Sequence, residues 1–474
     1  MKNYLKQTLF CTVFISGFLL WGNAQADTHT VSGNCSASAV QTAIDGASSG
    51  DIIDVTCTGT VTWSSAITLS GGKILKGGGT KGSSGTNGTW PLTINVTSSG
   101  DAAVIIINDN SEPVNQLTGF KFQGTGTPTY VVHVYGKGTG TDGNGAFRID
   151  NNYFYQVSFG SRVILTDGDK GKMTGLVDHN VFDFLAATEA LSSYENSYKG
   201  SSETCYGNDS AYRSNAGFGS DDFVFWEDNY MFNHGFDNVA GGGRIVLRYN
   251  EIASNITGQT FDVIDGHGSG TLGNQTFGTV RHEVYKNTIA GDSAYAHITN
   301  MRGGSWLVYN NTVPLSGILQ IDEYRLTGSQ YIEWKACDGD FCCPTTPPQC
   351  NIQAPDADDF ASCYPLLNQV RNTYVWNNIQ YSENMTPQSA DSNVDAYIAL
   401  NRDYWMPTYG TEASLPASCT TGAYYGATDS GKLWKCTSTN NWTLQYTPFT
   451  YPHPLRTEAT DIVAPARPTG LAVQ

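Results

Sequence analysis

The segment V-L-R-Y-N-E-I at 246–252 is one copy of a pattern that the chain repeats with variations. Earlier versions are F-R-I-D-N-N-Y-F at 147–154, G-L-V-D-H-N-V-F at 175–182 and F-W-E-D-N-Y-M at 225–231. Later ones are E-V-Y-K-N-T-I at 283–289, L-V-Y-N-N-T-V at 307–313 and Y-V-W-N-N-I at 374–379. Each copy is anchored on an Asn: 152, 180, 229, 250, 287, 311 and 378. Three residues before the anchor stands an apolar residue every time: Ile149, Val177, Trp226, Leu247, Val284, Val308 and Val375. Two residues after it come Phe154, Phe182, Met231, Ile252, Ile289 and Val313, with Gln380 breaking the rule in the last copy.

Positions −3 and +2 lie five apart, and an odd separation cannot share one face of a flat strand. Both enter one core only if the chain bends at the Asn, a residue that tolerates left-handed backbone angles and bonds its own backbone. The anchors step by 28, 49, 21, 37, 24 and 67 residues. The short steps suit one coil of a β-solenoid and the long ones suit coils with insertions. Stacked corners would set Asn over Asn.

This pattern resembles the right-handed parallel β-helix of the pectin-lyase-like superfamily, known for inward-stacked Asn at a tight turn. The resemblance covers roughly residues 35–380 and implies an all-β fold. It leaves the activity open, since that scaffold carries lyases, hydrolases, transferases and non-catalytic adhesins.

Outward from the repeat, residues 1–26 read as a secretory signal, with Lys2 and Lys6, an apolar run Leu9–Leu20 and cleavage after Ala26. The protein is then expected outside the cell or at its surface. The β-helix is expected over 27–381, a disulfide-containing cap or module over 382–455, and a Pro/Ala/Thr-rich tail over 456–474. Insertions are placed at about 184–220 and 326–372. Ser36–Ala47 reads as an amphipathic helix, with Val40, Ala43 and Ile44 on one side, covering the open end of the solenoid. Only 15% of residues are charged and Gly numbers 52, the profile of a turn-rich all-β protein. The net charge of −17 disfavours nucleic acid and anionic membranes as partners.

Without Cys11, which lies in the signal, ten cysteines remain of the 11. An even number in an exported chain points to disulfides. Cys35 with Cys57 and Cys419 with Cys436 are the natural pairs. Cys205, Cys337, Cys342, Cys343, Cys350 and Cys363 leave several connectivities open.

Candidate chemistry comes from three strands laid over one another: F-D-V-I-D-G-H-G (261–268), H-I-T-N-M-R-G-G (297–304) and L-Q-I-D-E-Y-R (319–325). In this overlay His267, Arg302 and Arg325 stack, and Asp265, Asn300 and Glu323 stack two residues earlier. Asp262, His297 and Gln320 line up in the other set. Parallel strands about 4.8 Å apart would merge these into one polar patch suited to a long polysaccharide. Polar residues at strand ends also serve simply to satisfy turns.

Two further resemblances bear on activity. Asp221-Asp222 and Gly266-His267-Gly268 are similar to motifs of polygalacturonase-type hydrolases, which imply acid–base cleavage by carboxylates. The Asn-Thr-Asp and Arg-Ile-Lys motifs of those enzymes are absent. I-T-N-M-R-G-G-S-W-L-V-Y-N-N (298–311) resembles the catalytic strand of β-helix alginate and chondroitin lyases, with Arg302 at the Arg position. That resemblance implies β-elimination, with a cation beside the uronate carboxylate. The preceding Lys of that family has no counterpart; Lys286 falls at the Asn corner.

Arg302 precedes Gly303-Gly304, which would leave open space beside its guanidinium. The acidic second insertion, with Asp338, Asp340, Asp356 and Asp358, offers carboxylates for Ca²⁺. The functional expectation is a secreted polysaccharide-binding or polysaccharide-cleaving protein. The alternative is a non-catalytic surface or adhesin-type solenoid.

Overall fold

The chain winds in coils of three short strands, and strands from successive coils pair in parallel. A computed structural model describes residues 26–108, 114–124, 126–136, 146–156, 162–167, 174–192, 217–238, 244–255, 261–266, 281–291, 296–313, 317–321, 370–389 and 398–456. The first sheet has 12 strands, running from Thr28–Val31 through Phe147–Asp150, Arg244–Arg248 and Ser305–Tyr309 to Tyr404–Trp405. The second follows the Asn corner, from Gly59–Trp63 through Glu251–Ser254 to Ile379–Gln380. The third runs from Ile67–Leu69 through Tyr130–Gly136 and Ala296–Met301 to Pro387–Ser389. The protein is a parallel β-helix.

The corners explain the odd spacing. The main-chain N–H and side-chain amide of Asn250 both donate to Oδ1 of Asn287 at 3.0 Å. The same two bonds join Asn152 to Asn180, Asn180 to Asn229, Asn229 to Asn250, Asn287 to Asn311 and Asn311 to Asn378. Each amide also donates to the carbonyl of the −3 residue one coil back, as from Asn250 to Trp226 and from Asn287 to Leu247 at 2.9 Å. All the −3 side chains and six of the +2 side chains are buried.

The anchor Asn does not carry the left-handed backbone, contrary to the sequence reading. The residue before it does: Asn151, His179, Asp228, Tyr249, Lys286, Asn310 and Asn377 have φ between 50° and 58°. The anchor amide must point inward to bridge coils, so the reversal falls on its neighbour, whose side chain projects outward. No β-branched residue stands there, because left-handed angles crowd a branched Cβ most.

The single α-helix among the described residues, Ala37–Gly46, closes the N-terminal end. Ala37, Val40 and Ile44 are buried over Trp63, Ile67 and Leu69. Ser36 caps the helix by accepting from Ala39 N–H. Gln41 exchanges two hydrogen bonds with the Thr68 backbone, and Lys73 donates to the Ile44 carbonyl. Disulfides join Cys35 to Cys57 and Cys419 to Cys436, as expected. Such bonds persist in oxidising compartments. Among the described residues no helix is long and apolar enough to cross a membrane. The signal segment, the other six paired-cysteine candidates and the tail from 457 lie outside the described residues.

Two boundaries move. Residues 184–192 belong to strand Val181–Ser192 and pair into the third sheet, so the first insertion begins after them. Residues 387–389 and 404–405 still pair with the solenoid, extending it past 381. Beyond them a four-stranded sheet, Thr408–Gly410, Tyr424–Ala427, Leu433–Ser438 and Asn441–Tyr446, lies along the side of the helix rather than over its end. It packs Tyr424, Leu433 and Tyr446 onto Tyr285, Tyr309 and Trp376, which stack at 4.7 and 4.2 Å on the outer face of the first sheet.

From Tyr446 the chain then crosses the coils as a strap. The Phe449 and Thr450 carbonyls accept from Arg248, Tyr451 donates to Asp228, and the Leu455 carbonyl accepts from Arg148. Arg456 binds Asp228 at 2.6 Å and Glu227 at 3.2 Å. Charges under the strap are matched. Arg148 grips Asp178 with two bonds of 3.0 and 2.9 Å, and Arg248 holds Glu227 at 2.6 Å. Burial pushes the Asp178 carboxyl up, but Arg148 and His179 outweigh it and hold it well below the carboxylate range.

Two outcomes test this account. Asn250→Ala strands the Asn229 main-chain N–H in the core, takes one acceptor from the Asn229 amide and one donor from the Asn287 oxygen, and an unsatisfied buried group costs about 1–3 kcal/mol. Denaturant unfolding is expected to show a loss of about 3 kcal/mol; a loss under about 1 would remove the ladder from its central place. Glu283 is buried beneath Tyr446, and burial pushes its carboxyl up to about 7 despite hydrogen bonds from Tyr446 and Gly219. A raised folded pKa means its stabilising contribution is complete below about pH 4.5 and fades as pH rises through 7. Relative to Glu283→Gln, the wild type should lose up to about 3 kcal/mol across that window. Parallel stability curves for the two proteins would refute it.

Candidate functional site on the third sheet

The outer face of the third sheet carries the polar groups singled out from sequence. Backbone pairing sets Asp262 beside His297 and Asp265 beside Asn300, as the overlay expected. The third strand differs. Gln320 pairs with Asn300 rather than His297, and His297 pairs with Ile318. An irregularity between His297 and Thr299 allows Ile298 and Met301, an odd distance apart, both to enter the core. An overlay of unbroken strands could not foresee this, so its third member is offset by three residues. His267, Glu323 and Arg325 lie outside the described residues, as do Asp338, Asp340, Asp356 and Asp358. Among the described residues no cluster of His, Cys, Asp and Glu is arranged to hold a metal.

Arg302 is buried, and its Nη1 lies 3.0 Å from Oδ2 of Asp265. With its amide turned to suit, Asn300 accepts from Nη2 and Nε of Arg302 at 2.9 and 3.2 Å. Gly303 and Gly304 are buried too, and the Gly303 carbonyl accepts from the Trp306 indole at 2.7 Å. Gly304 has a φ of 73°. The glycine pair therefore makes a tight turn onto Trp306 instead of open space for a ligand. The Arg302 guanidinium meets a carboxylate of its own chain.

The more accessible pair is Asp262 with His297, whose side chains are 19% and 14% exposed. The His297 Nδ1 meets Oδ1 of Asp262. Such a carboxylate orients an imidazole and sets which ring nitrogen faces outward, a geometry used in proton transfer. A second His–carboxylate pair stands on the same sheet toward the N-terminus, His133 with Asp101 at 2.9 Å, beside Tyr130 and Tyr135. Sequence reasoning passed over it, although Y-V-V-H-V alternates correctly for an outward His133.

Of the polygalacturonase-like motifs, His267 and Gly268 lie outside the described residues. Asp221 and Asp222 precede the first-sheet strand Val224–Glu227, whereas Gly266 ends the third-sheet strand Ile264–Gly266. Asp222 lies 3.8 Å from Arg244. Sequence proximity to a repeat does not reveal which of three sheets a residue joins.

Arg302→Ala would remove the guanidinium that lies 3.0 Å from the buried Asp265 carboxylate. Its unfolding free energy is expected to fall by about 3 kcal/mol, against under about 1 for His297→Ala. Equal effects in chemical denaturation would contradict a structural role for Arg302. The chain matches no protein-family model, and neither a curated protein nor a solved structure shows detectable similarity to it.

Proposed function

We propose that the protein is an exported β-helix of the pectin-lyase-like kind that binds polysaccharide along the outer face of the third sheet. The observation that carries this reading is the accessible Asp262–His297 pair beside the Asp265–Asn300–Gln320 column. Groups repeated from coil to coil suit a polymer lying along the axis. On this reading His297, steered by Asp262, exchanges a proton with the bound chain at a sugar C–H or a glycosidic oxygen. Arg302 and Asp265 hold the strand end beneath it.

A second reading has a specific observation behind it. The mutual burial of Arg302 and Asp265 is what a stiff, non-catalytic solenoid would use to secure its coils. Incubating the protein with uronate-containing and neutral polysaccharides, while following ultraviolet absorbance and new reducing ends, separates the two. Cleavage should fall about 100-fold or more in His297→Ala with the unfolding midpoint preserved. Activity that survives His297→Ala would relocate the site. Absence of both cleavage and binding across the panel would favour the rod.

A further inference from the structure

We propose a second carbohydrate site at a different corner of the solenoid, a groove over the Asn turns that takes a short, uncharged stretch of glycan. The groove has a volume of about 400 Å³, within the range of small-molecule sites. Its floor is the outward row of left-handed residues, Tyr249, Lys286, Asn310 and Asn377, with Thr288 and Thr312 beside them on the second sheet. One wall is the N-terminal hairpin through Lys81 and Ser83; the other is Thr428 of the C-terminal sheet and Tyr451 of the strap. Three segments distant in sequence converge there, and no local pattern could announce it.

The lining specifies the ligand class. Its carboxylates are already engaged: Asp228 by Arg456 and Tyr451, Glu251 by the Gly85 N–H at 3.3 Å. Lys81 is largely buried, and desolvation lowers its ammonium pKa although Asp228 and Glu251 oppose the shift. Lys286 donates to the Tyr249 hydroxyl at 3.1 Å. The lining holds two ammonium groups, Lys81 and Lys286, against two carboxylates, Asp228 and Glu251, so it carries no net charge to draw a polyanion. What remains is amide and hydroxyl. Asn377 donates to Asn310, and Asn310 donates to the Thr428 carbonyl at 2.9 Å, which fixes both amides. Amides and threonine hydroxyls both donate and accept, as sugar hydroxyls require. Tyr249 and Tyr451, stacked at 3.7 Å, add a flat apolar edge for the C–H face of a ring.

Thr312 is exposed on the groove floor, so Thr312→Trp obstructs the groove without touching the core. Isothermal titration would use neutral pentasaccharides (cello-, xylo-, manno-, malto- and chitopentaose) and pentagalacturonate as the acidic probe. At least one neutral probe should bind, weakening about tenfold or more in Thr312→Trp, a change of 1.4 kcal/mol. Lys286→Asn, which suits the left-handed backbone, should weaken it as well. His297→Ala should leave it unchanged, which separates this groove from the third-sheet face. The proposal is overturned if no neutral probe binds, if pentagalacturonate binds more tightly, or if binding survives Thr312→Trp with both proteins folded. Binding lost in His297→Ala alone would place the sugar on the third sheet and also overturn it.

Discussion

Seven coils of this protein are joined by one amide handing its oxygen to the coil before it. The anchor Asn supplies an acceptor for two donors of the neighbouring Asn, while its own amide donates to a carbonyl across the corner. Buried polar groups are tolerated only when satisfied, and this ladder satisfies them by repetition. It also sets the local geometry. The amide turned inward forces left-handed angles on the residue before it, so a row of seven unrelated side chains faces outward along one edge. Structure and surface chemistry at that edge share one cause.

A solenoid leaves its outer faces exposed unless something covers them, and here the C-terminal sheet and strap cover the first. The strands beneath are buried on both sides, with Phe225, Val246 and Leu307 outward among charged partners. The position two before each anchor runs Asp150, Asp178, Glu227, Arg248, Tyr285, Tyr309 and Trp376. Charge at one end and aromatic stacking at the other match two parts of the cover, the salt-bridged strap and the apolar sheet. Buried ion pairs of this kind contribute little over an apolar contact, yet they penalise any misplacement of the strap.

The third sheet divides its polar groups between two tasks. Arg302, Asp265 and Asn300 are turned on one another and hold a turn closed, whereas Asp262 and His297 remain within reach of solvent. Residue type alone does not separate these roles. An arginine before two glycines reads as an open cationic site, but a neighbouring carboxylate one coil away makes it a tie.

The solenoid, its Asn corners, the N-terminal helix and two disulfides are legible in the residues alone, because each rests on local spacing that the coil repeats or on nearby partners. An apolar residue five positions from another, with Asn between, has few other ways to be buried. The pairing of Asp262 with His297 and of Asp265 with Asn300 is legible too, since those strands begin alike. The rest emerges only once the coils are stacked. The offset of Gln320 follows from a strand irregularity that core packing selects. The burial of Arg302 depends on Asp265, 37 residues earlier in the chain. The path of residues 446–456 over the first sheet, and the meeting of hairpin, turn row and strap in one groove, join segments separated by hundreds of residues. Contacts of that range are set by how coils stack, and no local pattern encodes them.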